Sequence, residues 1–176
     1  TGGGSIASLN IDLSNNSLTV SNLPGVGSFT SSIEGFENIR GSNTADQIVG
    51  DSGVNTLIGN GGNDVINGGG GDDTLDGGAG EDTLVGGAGD DRMIGGEGND
   101  TYTFGDGIDI IDYSNLQDSI TLVRGGTVDK GELGTDTFTD FYERIIATNN
   151  ANDWIDGLTG GGSIASLNID LSNNSL

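Results

Sequence analysis

The sequence contains no cysteine and no histidine among its 176 residues. This absence excludes disulfide bonds, thiolate or imidazole metal ligands, and nucleophilic catalysis by Cys–His or Ser–His pairs. Proline occurs once, aromatic residues make up only 5%, and no apolar run approaches the length of a transmembrane helix. Any metal ion bound by this chain must therefore be held by oxygen atoms.

Basic residues are also scarce, since 5 Lys and Arg face 27 Asp and Glu and the formal net charge is −22. Such a surface repels nucleic acid and anionic membranes, so neither a nucleic-acid partner nor membrane insertion is expected. Glycine is abundant, at 35 residues, but it does not recur every third residue, which excludes collagen. Carboxylates at this density repel one another in a folded chain unless a cation neutralises them.

Residues 59–103 divide without a gap into the nonapeptides GNGGNDVIN, GGGGDDTLD, GGAGEDTLV, GGAGDDRMI and GGEGNDTYT. Degenerate copies precede them at 41–49 and 50–58, and the same phase extends to 32–40, 104–112 and 113–121. Position four is mostly Gly, position six is mostly Asp, and position eight is always apolar. The position-eight residues predicted to form the core are Ile48, Leu57, Ile66, Leu75, Leu84, Met93, Tyr102 and Ile111.

A nine-residue repeat is too short for a helix and predicts a stack of short strands. Positions seven to nine are expected to form each strand, with one side chain inward, while the first six residues turn the chain. Two nonapeptides then make one flattened coil, and coils stack as parallel strands ~4.8 Å apart. Position eight fills the narrow core, and residues 18 apart become neighbours.

This stacking places the position-six carboxylates in two rows, one containing Asp64, Asp82 and Asp100 and the other Asp73, Asp91 and Asp109. Two carboxylates and several loop carbonyls, without nitrogen or sulfur, favour Ca²⁺ over the more demanding Mg²⁺. We expect about four to six Ca²⁺ ions. The predicted carboxylate ligands are Asp46, Asp64, Asp73, Asp82, Asp91, Asp100 and Asp109. The predicted carbonyl ligands belong to Gly59, Gly61, Gly68, Gly70, Gly77, Ala79, Gly86 and Ala88.

The repeat Gly-Gly-x-Gly-x-Asp-x-apolar-x, as in GGAGEDTLV at 77–85, resembles the RTX (repeats-in-toxin, haemolysin-type) calcium-binding nonapeptide. The resemblance implies an all-β, right-handed parallel β-roll solenoid that folds with Ca²⁺ and is exported by a type I secretion system. The end copies depart from the pattern, because Asn55 replaces Asp, Thr44 replaces Gly and Phe104 replaces the Gly of position one.

A second, longer repeat relates the two ends of the sequence. Residues 1–18 and 159–176 are the same eighteen residues, which gives a period of 158. We therefore predict an N-terminal β cap at 1–31, the β-roll at 32–121, a C-terminal β cap at 122–158, and the start of a further tandem unit at 159–176. The flanks at 1–31 and 122–158 do not follow the nonapeptide. An engineered duplication is the alternative explanation of the identity.

Two function classes follow from these patterns. One is a calcium-binding structural repeat unit of a large, secreted bacterial surface protein, such as an adhesin stalk, a surface layer or an extracellular filament, whose partners are neighbouring copies of the same unit. The other is an accessory RTX domain that assists export and folding of a secreted enzyme or toxin. Both place the protein outside the cell. Adjacent carboxylates such as Asp72 and Asp73 recur within the repeat, which favours metal binding over catalysis, so the chain is not expected to be an enzyme.

Overall fold

The computed structural model describes residues 8–23, 27–123, 126–138, 144–148, 154–156 and 168–170. These residues form strands and connecting turns with a single 3₁₀ turn, Gly131–Leu133. The strands are β1 (Leu9–Asp12), β2 (Ser17–Leu23), β3 (Gly27–Ser32), β4 (Asn38–Arg40), β5 (Gln47–Val49), β6 (Thr56–Gly61), β7 (Val65–Gly70), β8 (Thr74–Ala79), β9 (Thr83–Ala88), β10 (Arg92–Glu97), β11 (Thr101–Thr103), β12 (Ile110–Asp112), β13 (Thr121–Val123), β14 (Thr127–Asp129), β15 (Thr135–Phe138), β16 (Arg144–Ile146), β17 (Trp154–Asp156) and β18 (Asn168–Asp170). Across these ranges no helix has the length and apolar character needed to cross a membrane.

The strands form two sheets, because consecutive nonapeptides contribute alternately to opposite sides of the coil. The eleven-stranded sheet has the order β17-β13-β14-β15-β11-β9-β7-β5-β1-β2-β3, and the seven-stranded sheet the order β18-β16-β12-β10-β8-β6-β4. The repeat strands pair in parallel with strands 18 residues away, as in Leu57 with Leu75 and Leu84 with Tyr102. The predicted all-β parallel solenoid is therefore confirmed.

Position eight fills the interior between the two sheets. All eight predicted core side chains are 0% exposed. Phe104, Tyr113 and Val128 join the same cluster, and Phe104 packs edge-on against Phe138 with ring centroids 6.1 Å apart. Apolar contact thus runs continuously along the axis, although position eight supplies only two side chains per coil.

The strands of the central block are longer than the three residues that the sequence predicted. Thr74–Ala79, for example, continues from positions seven to nine into positions one to three of the next nonapeptide. Gly78 pairs with Gly96 on one side and with Asn60 on the other, in the left-handed backbone region at φ +103°. Because glycine adopts this conformation without steric cost, the chain bends sharply while its backbone pairing continues. Only positions four to six are left to form the turn.

Antiparallel strands occur at both ends of the stack. At the N-terminal end β1 pairs with β2, and β2 with β3. Towards the C-terminal end β13, β14 and β15 form an antiparallel meander. β15 also rejoins the solenoid by pairing in parallel with β11, with Phe138 in register with Tyr102.

Candidate calcium sites

The position-six side chains form two rows, each linked by one repeated hydrogen bond. In the first row, Asp46, Asp64, Asp82, Asp100 and Asp136, the backbone N–H of each residue donates to Oδ1 of the next at 2.7–3.0 Å. In the second row, Asn55, Asp73, Asp91 and Asp109, the corresponding distances are 2.7–2.9 Å. Except at the first residue of each row, every aspartate thus has one carboxylate oxygen that accepts a backbone hydrogen bond from the preceding coil.

The other carboxylate oxygen is left without a partner in the middle of both rows. Oδ2 of Asp64, Asp73, Asp82 and Asp91 is buried and accepts no hydrogen bond. A buried carboxylate oxygen without a donor is strongly unfavourable, and natural proteins rarely retain one without a reason. Four such oxygens at equivalent repeat positions indicate a shared requirement for a cation.

Burial raises the pKa of the same four carboxyl groups. The pKa values of Asp64, Asp73 and Asp91 rise to about 6, and that of Asp82 to about 7, from an ordinary 3.8. Loss of hydration is the largest cause in each case, and neighbouring aspartates, including Asp100 beside Asp82, add to it. Without a counter-ion, the folded chain therefore opposes ionisation of these groups.

The backbone conformation at position two distinguishes the partnerless carboxylates from the side chains that an N–H of their own loop satisfies. In the copies of Asp64, Asp73, Asp82 and Asp91, position two has positive φ; these residues are Asn60, Gly69, Gly78 and Gly87. In three end copies position two lies outside that region, and its N–H donates to position six of the same copy. These bonds run from Ser42 to Asp46 at 2.5 Å, from Asp51 to Asn55 at 2.9 Å, and from Gly105 to Asp109 at 3.1 Å.

The partnerless oxygens face space that only glycine leaves at position one. A Cβ added to Gly59 would meet both the Asp64 carboxylate and the carbonyl oxygen of Gly77 in the next coil. A Cβ on Gly68 would likewise meet the Asp73 carboxylate and the Gly86 carbonyl. Carboxylate and carbonyl oxygens thus converge from two successive coils, which is the donor chemistry that Ca²⁺ prefers.

The predicted ligands differ in how far the protein itself satisfies them. The carbonyls of Ala79 and Ala88 each accept a hydrogen bond from a position-four N–H, at 2.9 and 2.8 Å, which leaves one lone pair for a metal ion. Within the described ranges, no three acidic side chains form a metal-binding cluster by themselves. Backbone carbonyls must therefore complete any cation site, and the carboxylates of Asp46 and Asp109 already have donors from their own loops.

The structure adds two residues that sequence analysis missed. Asp118, which the nonapeptide phase placed at position six, is exposed, and Asp136 takes the next place in the first row. The segment GELGTDTFT at 131–139 has Gly, Gly, Asp and Phe at positions one, four, six and eight, and Asp136 follows Asp100 by two coil lengths. The second residue, Lys130, precedes this segment and contacts Asp136. A search that allowed one skipped coil would have found Asp136, whereas Lys130 lies outside the repeat pattern.

The match to a protein-family model agrees with this geometry, whereas a comparison with curated proteins gave no match. The family model for the RTX calcium-binding nonapeptide repeat, which represents four copies, matches residues 40–75, 49–84 and 76–111. All four partnerless carboxylates lie inside these matched ranges. The chain therefore carries RTX calcium-binding nonapeptide repeats over residues 40–111.

Proposed function

We propose that the chain is a calcium-binding structural repeat unit of a large, secreted bacterial surface protein, of the kind that forms an adhesin stalk, a surface layer or an extracellular filament. The observation that carries the proposal is the repeated eighteen-residue segment together with its pairing. Asn10–Asp12 and Asn168–Asp170 have the same sequence, and both belong to strands that pair in parallel with a strand of the solenoid.

The N-terminal copy of this segment pairs with a strand that follows it in the sequence, whereas the C-terminal copy pairs with a strand that precedes it. Ile11 in β1 is in register with Ile48 of β5, which follows it in sequence. Ile169 in β18 is in register with Ile145 of β16, which precedes it. A parallel strand has two hydrogen-bonding edges, so one such strand can receive the preceding unit on one edge and begin the next unit on the other. This pairing supports a continuous solenoid across the junction.

The hairpin of β2 and β3 is the element that such a junction would have to move. In the N-terminal copy, β2 covers the edge of β1 opposite β5, and we infer that this edge is equivalent to the one that β16 takes on β18. Exposed sheet edges promote association, so the hairpin protects this edge in a free unit. We propose that the partners of the chain are neighbouring copies of the same unit, joined where the hairpin gives up this edge.

Calcium supplies the stiffness that a stalk or filament needs. The carboxylates of Asp64 and Asp82 in the first row, and of Asp73 and Asp91 in the second, would hold the ions together with position-one carbonyls. A bound divalent cation neutralises carboxylates from successive coils and ties those coils together. The same dependence keeps the chain unfolded where Ca²⁺ is scarce, inside the cell, and folds it after export, as expected for type I secretion.

The proposal is tested by comparing one 158-residue unit with two units in tandem, each in Ca²⁺ and in chelator. Far-UV circular dichroism should show β structure appearing as Ca²⁺ reaches ~10⁻⁴–10⁻³ M, the range of extracellular calcium modules. Small-angle X-ray scattering of the calcium-loaded two-unit chain should show one stiff rod of about double length. A spectrum that excess chelator does not change would exclude calcium-dependent folding. Two rolls joined flexibly would contradict the stalk and favour the accessory domain of a secreted enzyme or toxin.

A further inference from the structure

Lys130 is the only lysine in the sequence, and its side chain is fully buried, with 0% of its surface exposed. Its Nζ lies 2.9 Å from Asp100 Oδ2 and 2.6 Å from Asp136 Oδ1, and it donates a hydrogen bond of 2.7 Å to the Gly96 carbonyl. Lysine is almost never fully buried unless it is paired. Here two carboxylates from successive coils and one loop carbonyl surround the ammonium, so its ligands are all oxygen atoms.

The Asp100 carboxylate is equivalent to the partnerless carboxylates of the first row. Asp100 Oδ1 accepts the Asp82 N–H at 3.0 Å, just as Asp82 Oδ1 accepts the Asp64 N–H at 2.7 Å. Gly96 has φ +97° at position two, close to the +103° of Gly78. A Cβ at position one would collide with the position-six carboxylate in both copies. The Oδ2 atoms differ in one respect, since that of Asp100 contacts the Lys130 ammonium and that of Asp82 has no partner.

We propose that the Lys130 ammonium takes the place of a metal ion at the C-terminal end of the first row, and that removing the ammonium turns this position into an additional calcium site. The inference rests on the proposed calcium binding of the other copies. It divides the five position-six aspartates from Asp64 to Asp100 into four that require a metal ion and one that the chain neutralises itself.

The surroundings of Asp136 explain why a singly charged group suffices here. One ammonium leaves one negative charge on the pair formed by Asp100 and Asp136. The hydroxyls of Tyr102 and Tyr113 donate to Asp136 Oδ2 at 3.2 and 2.9 Å, and the Asp100 N–H donates to its Oδ1 at 3.0 Å. Hydrogen bonds to a carboxylate stabilise its charged form, so these donors hold the remaining charge.

Two variants of the full chain separate this role from ordinary packing. Lys130→Ala removes the ammonium and leaves room between the two carboxylates, whereas Lys130→Met removes the charge but keeps most of the side-chain volume. Bound calcium per chain is measured by equilibrium dialysis and mass spectrometry of the metal. We expect Lys130→Ala to bind one ion more than the wild type and Lys130→Met to bind no extra ion. Stability should recover with added Ca²⁺ much more in Lys130→Ala than in Lys130→Met.

Terbium luminescence provides a local measurement of the same exchange. Tb³⁺ binds to oxygen sites of the calcium type and is sensitised by an aromatic ring close to it. Because the Tyr102 and Tyr113 hydroxyls contact Asp136, Tb³⁺ bound between Asp100 and Asp136 should gain tyrosine-sensitised emission in Lys130→Ala over the wild type. An unchanged ion count in Lys130→Ala, or failure of that variant to fold in saturating Ca²⁺, would overturn the inference while leaving the proposed function intact. A wild type that binds no calcium would overturn both.

Discussion

Asp82→Asn should change the stability of the roll in opposite directions without and with calcium. Asp82 Oδ1 accepts the Asp64 N–H, and its Oδ2 has no partner. An amide keeps an oxygen for the first contact and removes the charge from the second. The chain already contains an amide at position six in Asn55, although there Oδ1 accepts the Asp51 N–H of its own loop, while Nδ2 donates to Glu37 at 3.2 Å.

The magnitude follows from the raised pKa of Asp82. A pKa of about 7 in the folded chain, against an ordinary 3.8, means that ionisation in the fold costs about 4 kcal/mol at 1.36 kcal/mol per pKa unit. Because the folded pKa is raised, this cost is absent below about pH 4, grows as the pH rises, and is complete above about pH 7. At pH 8 in metal-free buffer, Asp82→Asn should therefore stabilise the fold by up to about 4 kcal/mol.

With calcium the same change removes a predicted ligand, so the Ca²⁺ concentration at which half of the chains are folded should rise several-fold. The stability of the metal-free chain and the Ca²⁺ midpoint of folding are both measured by far-UV circular dichroism. The metal-free chain is titrated with a stabilising osmolyte, which favours burial, and the midpoints of the variants are compared. Glu81→Gln is the matched control, since it also removes one negative charge but changes an exposed residue at position five. It should shift both midpoints only slightly.

Destabilisation of the metal-free chain by Asp82→Asn would contradict this prediction, because the buried carboxylate would then not oppose folding. Equal effects of Glu81→Gln on both midpoints would also contradict it, since total charge rather than the buried position would then control folding. If Asp82→Asn stabilised the metal-free chain without weakening calcium binding, the substitution would only relieve charge repulsion, and Asp82 would not be a calcium ligand.

Two further predictions use the same structure. As the pH falls from about 8 to 5, the metal-free wild type should gain β structure, measured by circular dichroism. The raised pKa values of Asp64, Asp73 and Asp91 mean that these carboxyl groups are more readily protonated in the folded chain, so protonation stabilises the fold. Saturating calcium should abolish this pH dependence, and a metal-free chain that is less folded at pH 5 than at pH 8 would contradict the prediction. Gly78→Ala should lower the thermal unfolding midpoint strongly, because φ is +103° and the new Cβ would collide with the Asn60 carbonyl. Gly61→Ala is its control, since its nearest contacts are 3.8 Å away and the change should be neutral or slightly stabilising, and equal effects of the two variants would refute the assigned backbone geometry.

The fold was predictable from the sequence because one feature determines it. An apolar residue at every ninth position, with turn residues between, allows little besides stacked coils. The register of Leu57 with Leu75 and of Leu75 with Met93 follows from the 18-residue coil alone. The two rows of aspartates follow in the same way, since residues that are equivalent in successive coils must become neighbours.

The satisfied ends of the rows were not predictable from the repeat pattern. Gly105 stands at position two and resembles Gly87 or Gly96 in sequence, yet it lacks positive φ and donates its N–H to Asp109. Its neighbour Phe104 is buried against Phe138, so core packing accompanies the changed loop conformation in that copy. Phe138 comes from a segment more than thirty residues away, which the nonapeptide phase did not include.

The distribution of satisfied carboxylates limits where the fold depends on metal. At the N-terminal end, the loop N–H groups of Ser42 and Asp51 occupy the position-six acceptors. At the C-terminal end, Gly105 and Lys130 do the same for Asp109 and Asp100. Within the described part of the chain, the four position-six carboxylates that lack a donor lie between these ends, two to a row, so we expect the need for calcium to be confined to them. Since the end coils supply their own donors, a junction between successive units would need no shared ion, and each unit of an array could load calcium independently of its neighbours.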